Sequence, residues 1–148
     1  MTRKETLIYI AGIIDGEGYI GIKKHLSTLR SGGKGRGINP CYYERISVAG
    51  TNKDMIELLV KTFKVGKIYL HKPSKLSKRG YWSWDVTNRL AVSVIKQVFP
   101  YLLIKKPEAE VVMMLRESKK IRYGTLPKEV VERREELYQA IKTIHTFI

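Results

Sequence analysis

The sequence predicts an α+β fold, with helices on one face of a four-stranded antiparallel sheet. Three observations predict it. A stretch near the N-terminus is apolar on every side at helical spacing, four later stretches alternate at period two, and helical stretches follow the second and fourth of these. The order is helix, strand-strand-helix, strand-strand-helix, an α-ββα-ββα core, with two more helices over about 107–145. At 148 residues the chain suits a single domain, 1–148, long enough to bury a core.

Thr2, with Glu5 three residues later, reads as a capping box that starts a helix over about 5–16, with its motif reaching residue 18. Between Leu7 and Ile14 this helix has no polar face. A helix apolar all round must be covered all round; in so small a domain, one side faces the core and the other a second copy of the chain. Tyr19-Ile20-Gly21-Ile22-Lys23 alternates as a half-buried strand with Ile20 and Ile22 inward. Residues 31–37 form a glycine-rich basic loop. A second strand, about 41–49, turns Ile46 and Val48 inward and Tyr43, Arg45 and Ser47 outward. A helix over 53–63 follows, capped by Thr51 or Asn52.

The pattern then repeats. Strand 67–71 puts Ile68 and Leu70 inward and Tyr69 and His71 outward. A basic turn carries Lys72, Lys75, Lys78 and Arg79. Strand 81–87 sets Trp82, Trp84 and Val86 on one face and Tyr81, Ser83 and Asp85 on the other, and a helix covers 90–98. Pro107 and Pro127 stand where the last two helices begin. The final one, about 127–145, alternates charge and leaves Val131, Leu137 and Ile141 for packing.

Composition narrows the partner. Lys and Arg number 28 against 14 Asp and Glu, giving +14 and a pI near 9.9. Such charge favours a polyanion through phosphate neutralisation and counterion release. Cys41 is alone, which excludes an intramolecular disulfide and a cysteine-based zinc site and fits an intracellular setting, a prokaryotic cytoplasm or an organelle. The longest apolar run, Leu7–Ile14, is eight residues, far short of the ~20 of a membrane helix, so no membrane partner is expected. That run leads straight into Asp15 and Glu17, unlike a cleaved signal peptide. His25, His71 and His145 lack metal-ligand spacing, and Gly33-Lys34-Gly35-Arg36-Gly37 lacks the context of a nucleotide-binding loop.

The sheet's outward face would carry Lys23, His25, Tyr43, Arg45, Ser47, Tyr69, His71, Tyr81 and Ser83. A curved antiparallel surface with basic, aromatic and hydroxyl groups can lie in the DNA major groove and reach base edges and phosphates. Arg30, Lys34, Arg36, Lys72, Lys75 and Arg79 extend that surface through the two loops.

Residues 10–18 read Ile-Ala-Gly-Ile-Ile-Asp-Gly-Glu-Gly. Ala11, Gly12 and Gly16 strip side chains from the helix and let two helix backbones approach closely. Gly16 and Gly18 bracket Glu17 on permissive backbone where the helix ends, so two packed copies would bring two Glu17 carboxylates near a shared axis. Carboxylate and carbonyl oxygens suit a hard divalent cation, and paired cations assist phosphodiester cleavage.

On these residues the sequence resembles the LAGLIDADG homing endonucleases of the single-motif, homodimeric type. Ala11, Gly12, Ile14, Asp15 and Gly18 fit the motif, with Glu17 in its last acidic place. Lys64-Val65-Gly66-Lys67-Ile68 resembles the family's helix-to-strand turn, and residues 99–105 its approach to a catalytic lysine. The resemblance implies a homodimer joined through Leu7, Ile8, Ala11, Gly12 and Asp15. It would make a double-strand break in a long, near-palindromic DNA site and leave short three-prime overhangs. Glu17 and the Gly16 carbonyl would be the metal positions, with Asp15 either a structural acid or a secondary ligand, and Lys105 would act near the cleaved phosphate. Mg²⁺ would be the cofactor, with Mn²⁺ substituting and Ca²⁺ binding without cleavage. Relatives often carry a polar side chain near the end of the second strand that orders water; here Gly50 stands there. Either Asn52 takes over, or solvent and DNA do the ordering. The rivals are an intron-splicing maturase, with intron RNA as partner, or a DNA-binding regulator on the same fold. A basic ribosomal-type protein would not need an Ala-Gly helix ending in an acid.

Overall fold

The computed structural model describes residues 1–26, 40–76 and 78–146. Helix α1 (Arg3–Glu17) opens on the expected capping box: the Thr2 hydroxyl accepts from the Glu5 amide at 3.1 Å, and the Glu5 carboxylate accepts from the Thr2 amide at 3.0 Å. It passes without a loop into β1 (Gly18–His25), antiparallel to β2 (Cys41–Gly50). Then come α2 (Lys53–Phe63), β3 (Lys67–His71), β4 (Tyr81–Thr87), α3 (Asn88–Val98), a short 3-10 turn (Phe99–Tyr101), α4 (Lys106–Glu117) and α5 (Lys128–Thr146). The sheet runs β1-β2-β4-β3, every neighbour antiparallel.

Two glycines have steric reasons. A Cβ on Gly18 would come within 2.8 Å of the Ile14 backbone, so only glycine lets the strand leave the helix at once. Gly66 sits at φ +94, where a Cβ would also meet the Trp84 indole nitrogen at 2.4 Å; that nitrogen donates to the Val65 carbonyl at 2.9 Å.

The core lies between the sheet and the helices. Ile20, Ile22, Ile46, Val48, Trp84 and Val86 meet Ile10, Ala11, Ile14, Ile56, Leu59 and the inner side of α3. On α5, Leu137 and Ile141 are buried as expected, and Val131 is half-buried. Sequence patterning does not anticipate Glu44, which the same alternation carries inward on β2. It is fully buried, and its carboxylate accepts from Arg116 at 2.8 Å and from Lys119 at 3.0 Å. Burial holds the Lys119 amine below its ordinary pKa, against the pull of Glu44.

The structure departs from the expected pattern at β3. Ile68 and Leu70 remain 37% and 53% exposed. β3 is a five-residue edge strand, and helices α2 and α3 pack chiefly over β2 and β4. Alternation gave their face correctly, but nothing in the protomer covers its outer margin. Asn52, not Thr51, caps α2; its side chain accepts from the Met55 amide at 3.2 Å.

Candidate functional site

The site is built at the end of α1. Glu17 is its last residue, exposed, fixed by the direct passage into β1 at Gly18. Gly50 faces it from the end of β2: a Cβ there would lie 3.8 Å from Glu17 Oε2. The backbone thus reaches the acid where the sequence placed it, but no side chain accompanies it. The Asn52 oxygen is engaged as the cap of α2, which argues against its standing in as the water-ordering acceptor.

Asp15 is turned the other way, into its own chain. Its carboxylate accepts from the amides of Leu103 at 2.8 Å, Ile104 at 3.2 Å and Lys105 at 2.9 Å. These amides lead into α4, so an anion lies against a helix N-terminus, where the backbone dipoles favour it. This is the structural role; both oxygens are spoken for, and the side chain lies within the protomer rather than across an interface. The same segment positions Lys105, whose ammonium donates to the Asp15 carbonyl at 3.1 Å and caps the C-terminal end of α1. Glu17, Gly16, Asp15 and Lys105 are therefore gathered at one helix end, although Lys105 lies 88 positions along the chain from Glu17.

The expected dimer face needs revision. Ala11 is fully buried and Leu7 nearly so, both in the protomer core. Ile8, Tyr9, Gly12 and Gly16 are exposed and Ile13 half-exposed. With Glu17 and Met55 they line a shallow groove of about 440 Å³. The two sides of α1 are both apolar, and the alanine belongs to the inner one.

On the outward sheet face, Lys23 pairs in register with Tyr43, His25 with Cys41, Ser47 with Asp85, Tyr69 with Ser83, and His71 with Tyr81. Their side chains already interact. The His71 and Tyr81 rings stack at 4.3 Å, and His71 Nε2 lies 2.8 Å from the Ser83 hydroxyl. Arg45 Nε donates to Asp85 at 2.7 Å, a bond that raises the guanidinium above its ordinary pKa against the effect of burial. Lys72, Lys75 and Arg79 lie in the turn between β3 and β4; Arg30, Lys34 and Arg36 lie outside the described residues.

Sequence reasoning missed three features of this face. Tyr19 lies against Gly21, with the Lys23 ammonium 4.8 Å and the Arg45 guanidinium 5.8 Å from its ring centroid. Lys67 shares the face through its pairing with Asp85, and His145, from the end of α5, meets Tyr19 at 5.3 Å. The alternation already puts Tyr19 and Lys67 outward; nothing in the sequence brings His145 there. Among the described residues no group of three or more His, Cys, Asp or Glu is placed to hold a metal, and no helix is long and apolar enough to cross a membrane.

An α-ββα-ββα core with this sheet order and two C-terminal helices is the LAGLIDADG homing endonuclease fold. The homing endonuclease I-CvuI, in complex with an I-CreI target, superposes with a TM-score of 0.75 at 13% identity, over 96% of this chain and 83% of that one. The archaeal intron-encoded homing endonuclease I-Vdi141I, complexed with DNA, gives 0.60 at 12% identity, over 92% and 98%. The LAGLIDADG homing endonuclease I-LtrWI, bound to target DNA, gives 0.64 at 16% identity; the match covers 94% of this chain and 43% of that one. No family model and no curated protein matches the chain.

Proposed function

We propose that this protein is a site-specific DNA endonuclease of the LAGLIDADG homing type, acting as a homodimer on a long, near-palindromic duplex. The observation that carries the reading is the end of α1. An exposed acid, Glu17, stands beside an exposed Gly12–Gly16 face, with Lys105 bonded to the same helix end. A second copy seated on that face covers Ile8, Tyr9 and Ile13, places two Glu17 carboxylates near the two-fold axis, and sets two sheets side by side along the DNA. The neighbours of matching fold were solved with DNA, which supports a DNA partner for the outward face. A symmetric dimer reads a site of matching symmetry.

The donors suit a hard divalent cation. Glu17 offers an exposed carboxylate and Gly16 a carbonyl beside it, while one protomer has no three-ligand cluster among the described residues. Mg²⁺ is commonly held by one or two carboxylates together with phosphate oxygens and water, so a second Glu17 and the DNA complete the shell. I-CvuI was solved in the presence of Mg and of Ca, consistent with divalent cations in this fold. When bound, the cation supplies an acidified water and a stabilised leaving oxygen. Glu17 and the Gly16 carbonyl hold that centre; Lys105, anchored by Asp15, places a positive charge where the phosphate gains negative charge. Gly50 leaves the space beside Glu17 open to solvent and DNA, which order the attacking water in place of a side chain. The break leaves short three-prime overhangs.

The test is a cleavage selection on a random-sequence DNA library, with Mg²⁺ and separately with Ca²⁺. Recovery of one near-palindromic site cut on both strands with Mg²⁺ and bound uncut with Ca²⁺ is the expected result; Mn²⁺ should substitute for Mg²⁺. Specific binding without cutting in Mg²⁺ or Mn²⁺ would replace this reading with a maturase or DNA-binding regulator on the same fold.

A further inference from the structure

The outward sheet face does not account for where the charge of this chain sits. Along its four strands the cations are Lys23, Arg45 and Lys67, and Arg45 is paired with Asp85. A denser cluster lies on the other side of the sheet, in the helix layer. There α3 and the end of α4 enclose a groove of about 750 Å³ lined by Arg89, Lys96, Arg116, Lys119, Lys120 and Arg122. No carboxylate lines it. Glu44 beneath it engages Arg116 and Lys119, and Glu117 pairs with Lys120 at the surface. Among the described residues no ion pair involves Arg89, Lys96 or Arg122, and all three are exposed.

Like charges crowded in one groove repel one another and lower the stability of the compact state; a bound polyanion removes that repulsion. The remaining lining chemistry says how such a ligand would be held. Ser93, Gln97 and Val92 complete the wall, with no aromatic ring on which a base could stack. The groove is therefore suited to backbone phosphates and not to bases. We propose that it binds the phosphodiester backbone of a second nucleic-acid segment while the sheet face holds another. The contact is sequence-independent, with Arg89, Lys96 and Arg122 as its free cations. It stands apart from the nuclease reading, since none of these residues lies near Glu17 or on the sheet face.

The test uses the full chain and two fluorescent probes, a random-sequence RNA oligonucleotide and a random-sequence DNA duplex. Each is titrated over a range of salt, alone and with the protein saturated by unlabelled duplex. A groove variant (Arg89→Ser, Lys96→Ser, Arg122→Ser) is compared with a control that removes the same charge from exposed positions elsewhere (Lys61→Ser, Lys128→Ser, Arg133→Ser). The groove variant is expected to lose about tenfold in affinity for the probe that occupies the groove. The slope of log affinity against log salt should fall by about 2, from roughly 0.7 to 0.9 per lost phosphate contact. Loss confined to the RNA identifies RNA as the occupant; loss confined to the second duplex identifies DNA. Lys96→Glu alone should move affinity in the same direction with a normal thermal melt, which separates lost binding from lost folding. Equal losses in the groove and control variants, or none in either, would overturn the proposal.

Discussion

Helices α1 and α3 both pack an apolar stripe on the sheet, yet their outer sides have opposite chemistry. On α3 the buried Ala91, Val92, Val94, Ile95 and Val98 give way to Arg89, Ser93 and Lys96 outside. On α1 the buried Leu7, Ile10, Ala11 and Ile14 are backed by Ile8, Tyr9, Gly12, Ile13 and Gly16. An amphipathic helix is satisfied by one core and water, whereas an apolar outer side calls for a second protein surface. The difference teaches that a helix without a polar face carries assembly information that one protomer does not use.

The sharpest break in that comparison comes at the end of α1. Glu17→Gln should leave folding and DNA binding intact and reduce single-turnover cleavage by at least about 10²–10³-fold, the scale of losing one group that stabilises the transition state. An active variant would remove the acid from the chemistry. Lys105→Ala should slow cleavage by a smaller factor, of order 10², with little change in affinity, because its ammonium meets α1 at the Asp15 carbonyl rather than on the sheet face. An unchanged single-turnover rate would leave it a structural cap only.

A paired substitution separates the two sides of α1. Ala11→Leu overfills the core and should cost about 1–3 kcal/mol in denaturant unfolding. At Gly12 a Cβ meets nothing within 4 Å, so Gly12→Leu should keep the protomer folded. It should even gain up to about 0.8 kcal/mol of helix propensity while the dimer weakens. Equal destabilisation by both variants would show that the inner and outer sides are not distinct. The smallest effect is expected at Glu135, on α5. Its carboxyl sits below the ordinary carboxylate pKa, first through the hydrogen bond from the Tyr42 hydroxyl. A depressed acid stabilises the fold above its unfolded pKa, and that contribution is lost as pH falls through the folded value. Glu135→Gln should flatten the acid side of the stability curve by less than about 1 kcal/mol, since the group is largely solvated.

The order and faces of the elements were legible because each rests on a local signal: period-two strands, the Thr2–Glu5 box, Gly66 at the turn, Pro107 at the start of α4. What escaped depends on tertiary neighbours. Ala11 and Gly12 are adjacent small residues, and only the packing of α1 on α3 and the sheet says which of them is inside. Ile68 and Leu70 alternate like core residues, but helix cover ends before the edge strand. Asn52 reads equally as a polar site residue or a cap until its bond to Met55 is seen. Glu44 and the groove above it join β2 to a helix end more than 70 positions away, a distance over which pattern carries no information.

The most direct measurement is sedimentation equilibrium of the DNA-free protein beside Gly12→Leu, with cleavage assayed on the same samples. The expected result is a wild-type species at twice the 17.1 kDa protomer mass, shifted toward monomer by the substitution with a parallel loss of double-strand cutting. A wild-type monomer that cuts both strands without associating on DNA, or a mutant dimer of undiminished stability, would contradict the assignment of the outer side of α1.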